Sequence, residues 1–446
     1  MAAPAEPAAG VFRTRGQRPA MTVVARAIRT TAPQQALLLT GPTGTGKTTL
    51  ALDLAAGLLC AASPDARPCR TCAACRRVAH GNHPDVHRLA PEGPGRQIRI
   101  GNRDAPDPGT VRHLLHELAL APAEGRFRVV VVEEAHRLNE DAQNALLKAL
   151  EEPPPGTCVI LCAENEDALL PTVRSRCVRV RCGPVAETEI AALLVERGLA
   201  DSSRAARLAA MAAGRPGRAL ALARSPEAVV LRDRIVRQLL DLTSAAPAAR
   251  LAVAGELVSA ADDYDLQLER GLAASSAEDP ARTRAADAGR VPPRSGPGLP
   301  PSPTTAAPAQ QVDRAEEIGR ADEAACDGAD PAADGADPAA GRSPGARRAR
   351  ARMAPAERRR ALVTLGALWR DLARDLALTL RGGAGEIRQR DLRDELAAAA
   401  ADLDPAGVAE FLSVLDRCLA LVDGNANPEL VLDVLLLRWP RPSGVA

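Results

Sequence analysis

Three runs of consecutive apolar residues mark the first part of the chain: ALLLT at 36–40, RVVVV at 128–132 and CVILC at 158–162. Between them, residues 47–59, 109–121 and 140–151 carry apolar side chains at helical spacing. Short unbroken apolar runs suit strands buried on both faces, and their alternation with helices predicts a parallel α/β sheet. Residues 184–224 are helical throughout, with a glycine-rich break at Gly214–Gly217. Helical periodicity continues over 226–272 and returns from Pro355 nearly to the end. Residues 274–350 are rich in Pro, Ala, Gly, Asp and Arg, and they repeat DGADPAA at 327–333 and 334–340. With almost no large apolar side chains, this stretch cannot offset the entropy of ordering and is expected to be a disordered insert. The expected units are an α/β domain over 1–183, a helical segment over 184–225, and one helical C-terminal domain made of 226–273 and 351–446.

A length of 446 residues also calls for two or three domains. Hydrophobic residues make up 46% and aromatics only 1%, so the cores must be built of Leu, Val and Ala, which favours helices. A net charge of +1, from 57 basic and 56 acidic residues, excludes a globally basic field for nucleic acid. Any DNA contact would be a local one, through phosphates. Nearly all the basic residues are Arg; the only lysines are Lys47 and Lys148, and both fall inside motifs. No run of eighteen apolar residues and no signal-peptide h-region occurs, so the expectation is a cytoplasmic protein without a membrane span. Ten cysteines in such a setting do not suggest a disulfide framework.

Five motifs carry chemistry. Gly41-Pro-Thr-Gly44-Thr-Gly46-Lys47-Thr48, followed by Thr49, fits a phosphate-binding P-loop between a strand and a helix. Its backbone N–H groups would wrap the phosphates of ATP, Lys47 would reach the β- and γ-phosphates, and Thr48 would hold Mg²⁺. Glu133 and Glu134 end the second strand, where acids hold Mg²⁺ and polarise a water; Glu133 stands where Asp is usual, and Glu134 sits where a catalytic base would. Cys60, Cys69, Cys72 and Cys75 form a Cys-x8-Cys-x2-Cys-x2-Cys set suited to a structural, tetrahedral Zn²⁺, and His80, His83 and His87 nearby are read as surface residues. Asn144-Ala-Leu-Leu-Lys148-Ala-Leu-Glu151-Glu152-Pro153-Pro154 is an amphipathic helix stopped by proline. Leu170-Pro-Thr-Val-Arg174-Ser-Arg176-Cys177 presents arginines of the kind that act on a neighbour's phosphates.

In this order the motifs resemble the bacterial DNA polymerase III clamp-loader subunits of the AAA+ class, and Gly16-Gln17 is similar to that family's N-terminal Gly-Gln. The resemblance covers residues 11–224. It implies an AAA+ module, a helical lid over 184–225 and a helical collar. The implied partners are gamma/tau and delta subunits in a hetero-pentamer, a sliding clamp, and primed DNA reached through the assembled complex, with no membrane. Two subunit types share the framework. The segment at 170–177, the Gly214-Arg-Pro-Gly217-Arg-Ala-Leu220 segment and Asn425-Ala-Asn427-Pro428 look like the delta-prime type. The gamma/tau motor type has a nucleotide-sensing Arg where this chain has Gly217. Ala163 and Glu164 occupy the area of a polar sensor, so the expectation is ATP binding with weak or absent hydrolysis. By resemblance Arg176 would act in trans on an adjacent motor subunit. The alternatives are a gamma/tau-type motor and, in a different class, a stand-alone P-loop ATPase of DNA repair.

Overall fold

The computed structural model describes residues 10–30, 35–91, 97–102, 107–277, 353–383, 385–423 and 426–442. The α/β part runs α1 (Arg18–Arg29), β1 (Ala36–Thr40), α2 (Lys47–Leu58), α3 (Ala73–His80), β2 (Val86–Leu89), α4 (Val111–Leu118), β3 (Arg128–Val132), α5 (Glu140–Glu151), β4 (Thr157–Ala163), α6 (Pro171–Ser175) and β5 (Val178–Arg181). The five strands form one parallel sheet in the order β2-β3-β4-β1-β5.

The three apolar runs are the three central strands, and every residue of each is buried. Their alternate side chains feed two cores. Leu37, Leu39, Val129, Val131, Ile160 and Cys162 pack with α1, α2 and the cysteine-bearing segment. Leu38, Val130, Val132, Val159 and Leu161 pack with α4 and α5. The two edge strands escape the sequence reading because VHRL and VRVR mix apolar and charged positions, as half-exposed edges do.

The rest is helical: α7 (Glu187–Glu196), α8 (Ser202–Ala212), α9 (Pro216–Arg224), α10 (Pro226–Asp241), α11 (Pro247–Ala252), α12 (Ala254–Ala277), α13 (Pro355–Leu380), α14 (Arg393–Ala401), α15 (Pro405–Asp423) and α16 (Pro428–Arg438). Helix α12 continues to Ala277, four residues past the boundary expected at 273. The remainder of the expected insert, and Asn425, lie outside the described residues. One core runs from Val185 and Ile190 through Leu222 and Leu257 to Leu365 and Leu436, so α7–α9 and the later helices share a single apolar interior. No helix among the described residues is long and apolar enough to cross a membrane.

That interior concentrates the few aromatics. Trp369, Phe411 and Trp439 meet in tilted and edge-on contacts with ring centroids 4.7–5.5 Å apart, and Trp439 donates its Nε1–H to the Leu239 carbonyl at 2.9 Å. Beside them Arg250 is fully buried and donates to the carbonyls of Ala245, Leu436, Trp439, Thr243 and Pro440 at 2.5–3.3 Å. Its fork closes off carbonyls at the C-terminus of α16 that a helix end otherwise leaves without partners. Arg250→Ala strands these acceptors in an apolar setting. It is expected to lower stability by about 3 kcal/mol or more, read as a lower urea midpoint with an unchanged slope.

Candidate functional site

Strand β1 ends at Thr40, and the chain turns at once into the phosphate loop. The loop needs backbone that other residues resist: φ is +143° at Gly41, +79° at Gly44 and +97° at Gly46. Close approach adds a second requirement, since a Cβ on Gly41 would lie 1.9 Å from the Cys182 carbonyl oxygen. Helix α2 begins at Lys47 with no side-chain cap, so its first N–H groups face the loop as an anion site. The Lys47 ammonium rests on the carbonyls of Gly41 at 2.6 Å and Pro42 at 2.8 Å. Burial pushes its pKa down, opposed by the negative fields of Glu164 and Glu134 among others. Thr45 braces the turn by donating to the Pro42 carbonyl at 2.9 Å. From outside, Gln17 donates to the Thr45 carbonyl at 3.1 Å and to the Gly183 carbonyl at 2.6 Å.

The acids arrive from β3. Thr48 Oγ1 lies 3.5 Å from Glu133 Oε2, a spacing that leaves both oxygens available to one hard cation. The other carboxylate oxygen of Glu133 is held by Arg88 of β2, whose Nε donates at 2.9 Å. Glu134 adopts left-handed backbone, φ +47°, and pairs with Arg137 at 3.7 Å. His136, its pKa lowered chiefly by burial, accepts from the Glu164 N–H at 3.3 Å. Lys47, Thr48, Glu133, Glu134 and Glu164 thus converge at the C-terminal ends of β1, β3 and β4, where ligands sit in open parallel sheets. Thr49 is half-buried in the first turn of α2.

Arg176 lies apart from this cluster. It donates to the Thr172 carbonyl at 2.8 Å and pairs with Glu151 at the end of α5. Sequence reading passed over Gln143, which fixes this region. Its amide donates to the carbonyls of Leu138 and Ala168 and accepts the Leu170 N–H at 2.7 Å, holding the 170–177 segment against α5. A polar residue on the apolar face of an amphipathic helix was the available signal.

The four cysteines converge as spaced. Their sulfurs all lie within 4.8 Å of one another, and Cys60 and Cys72 are 3.9 Å apart. Thiolates around a tetrahedral Zn²⁺ at its usual bond length stand about 3.8 Å apart, so the donor set fits such an ion. Backbone N–H groups of Ala62, Cys69, Cys72 and Cys75 point at these sulfurs from 3.4–3.5 Å, the arrangement that stabilises thiolates. The other described cysteines are buried outside this cluster, and desolvation raises Cys158 and Cys162 to about 12. The histidines need a correction: His83 is buried rather than on the surface, and its Nδ1 accepts the Asp85 N–H at 3.1 Å. It supports the backbone before β2 and is not in the cysteine cluster.

The cysteine segment is tied to the phosphate-loop helix. Arg70, between Cys69 and Cys72, pairs with the buried Asp53 of α2, and its Nε donates to the Val11 carbonyl at 2.8 Å. Asp53 also accepts from the Thr14 N–H at 2.9 Å and the Thr14 hydroxyl at 2.6 Å.

Comparison with known proteins bears on the same region. Residues 16–186 match the family described as DNA polymerase III, delta subunit. The DNA polymerase III subunit delta' of Pseudomonas aeruginosa is 41% identical over 147 residues, 33% of this chain and 42% of that one. The delta' subunit of Bacillus subtilis is 31% identical over 202 residues, covering 45% of this chain and 57% of its own. The tau subunit of Escherichia coli is 33% identical over 202 residues, 44% of this chain and 30% of that one. The matches therefore span about a third to three fifths of these relatives. Within that stretch the chain is homologous to DNA polymerase III subunits, as its motifs anticipate.

The purified chain is expected to carry one equivalent of a divalent metal by elemental analysis. Cys60→Ser or Cys75→Ser, each removing a buried donor, is expected to bring the content near zero.

Proposed function

We propose that this homologue of the delta' and gamma/tau subunits of DNA polymerase III is itself a clamp-loader subunit of the delta-prime kind. In this reading it binds ATP with Mg²⁺ at Gly41–Thr48 and joins gamma/tau and delta subunits in a hetero-pentamer. That assembly places a sliding clamp on primed DNA. Helices α7–α9 serve as the lid, the later helices as the collar, and Cys60, Cys69, Cys72 and Cys75 hold a structural Zn²⁺. Arg176 serves the ATP site of the neighbouring motor subunit, exchanging Glu151 and the Thr172 carbonyl for a phosphate.

The observation that carries the delta-prime choice is the pairing of Glu133 with Arg88. A Mg²⁺ ion between Thr48 and Glu133 must share its carboxylate with a guanidinium. Like-charge repulsion at such range opposes the metal by an amount on the order of kcal/mol even near the protein surface. Glu134 is likewise engaged, with Arg137. Phosphates are welcomed by Lys47 and the start of α2, while the groups that would activate water are occupied. Such a site holds nucleotide and turns it over slowly.

A second reading, a gamma/tau-type motor, is favoured by the complete phosphate loop and by the similarity to the E. coli tau subunit. The two readings part in a reconstituted loader in which only this chain is altered. With Lys47→Ala, the DNA- and clamp-stimulated ATPase rate is expected to stay within about twofold of wild type. With Arg176→Ala it is expected to fall by about 10³-fold at the neighbouring site, the scale of an arginine finger. A rate cut by a large share in the Lys47→Ala loader would make this chain a motor.

A further inference from the structure

We propose that Arg215, on the turn between α8 and α9, is a phosphate-binding residue of the nucleotide site, closing the phosphate loop from the helical side. The inference rests on the nucleotide-binding reading of the loop and adds a residue that the motifs do not name.

The geometry begins with the turn. Helix α8 ends with two successive left-handed residues, Ala213 at φ +53° and Gly214 at φ +78°, which reverse the chain. Gly214 is pressed against the segment leaving the sheet: a Cβ there would lie 2.5 Å from Pro184 Cβ, and the Val185 N–H donates to the Gly214 carbonyl at 2.9 Å. The next residue is thereby delivered to the loop. A Cβ placed on Gly44 would meet Arg215 Cβ at 3.4 Å, Cδ at 3.6 Å and Cγ at 3.7 Å. The aliphatic stem of Arg215 therefore lies along the middle of the phosphate loop.

The guanidinium at the end of that stem is half-buried, and no hydrogen bond or ion pair joins it to another described residue. Desolvation and the nearby Arg218 both act against its charge, and Asp371 and Glu164 oppose them. Asp371 is itself paired with Arg388, and the field of Glu164 is shared with Lys47. Arg218, one turn on, is engaged with the Tyr264 hydroxyl at 3.0 Å in the helical interior. A partly desolvated cation with no bonded counter-ion among the described residues, laid over a loop suited to anions, is completed by a polyphosphate. Gly217 does not offer this position. A Cβ there would have Leu272 of α12, at 3.9 Å, as its one neighbour within 4 Å among the described residues, and no atom of the loop lies that close.

The test is equilibrium binding of Mg²⁺-ATP and Mg²⁺-ADP to the full chain by calorimetry. The variants are Arg215→Met, which keeps the stem on Gly44 and removes the charge, Arg215→Lys, and Lys47→Ala as the loop control. Arg215→Met is expected to weaken ATP about tenfold with an unchanged melting temperature, and Arg215→Lys to recover part of the loss. If Lys47→Ala weakens ATP while Arg215→Met binds like wild type, Arg215 is a packing residue and the inference falls alone. If the wild-type chain binds neither nucleotide, the nucleotide-binding reading and the inference fall together.

Discussion

The phosphate-loop face depends on a close crossing at which two glycines leave no room for a side chain of their own. The segment Cys182–Val185 leaves β5 against the phosphate loop on one side and the α8–α9 turn on the other. Gly41 lies against the Cys182 carbonyl, and Gly214 against Pro184, at separations that exclude a Cβ. The Cys182 N–H donates to the Thr40 carbonyl at 2.7 Å, so the crossing is also tied to the end of β1. Gln17 then bonds both the loop and the crossing through one amide. Contacts made by backbone or by a fixed proline ring have little slack compared with contacts between flexible side chains. Any displacement of the helical body relative to the sheet must therefore be felt at the loop that carries Lys47 and the start of α2.

The same loop is reached from the opposite side through Asp53. This carboxylate is fully buried, and a buried charge is tolerated only with its lone pairs satisfied. Its donors come from the N-terminal strap, through Thr14, and from the cysteine segment, through Arg70. Asp53 sits on α2, less than two turns from Lys47, so the helix that presents the loop also carries the anchor of the cysteine module. The module is thus coupled to the loop's supports. An ion that fixes the Cys69–Cys72 turn also fixes Arg70, and with it the strap that brings Gln17 to Thr45.

Much of this was legible in the sequence, for reasons particular to each element. The central strands are pure apolar runs because helices cover both faces of a parallel sheet, and such runs leave little ambiguity. The phosphate loop and the cysteine set declare themselves because their chemistry fixes both residue type and spacing. The edge strands β2 and β5 do not, because one side of each faces solvent and charged residues interrupt the pattern. His83 and Gln143 were missed for a related reason: each is a polar side chain whose partners are backbone groups distant in the chain or set by a local turn. Arg215 was hidden more deeply. Its position is set by two left-handed residues before it and by Pro184, far earlier in the chain, and neither effect can be read from the register of a motif.

The near absence of lysine sharpens the account of the loop. Arg carries almost every other positive charge, often against a carboxylate, as at Arg88–Glu133, Arg70–Asp53 and Arg388–Asp371. At Lys47 a planar fork would not serve, because the cation must fit inside a tight turn and rest on two carbonyls while leaving room for phosphate. A compact ammonium on a flexible stem does this, and a guanidinium does not. Lys148 has no such account: it is exposed on α5, and nothing in the structure explains it. The contrast separates the two halves of the candidate site. The half suited to phosphate carries the one side chain that fits inside the turn. The half that would carry a metal and a water has each of its acids, Glu133 and Glu134, facing an arginine. In the proposed reading, holding a nucleotide and consuming it thus fall to different residues, and the arginine pairs stand on the second set.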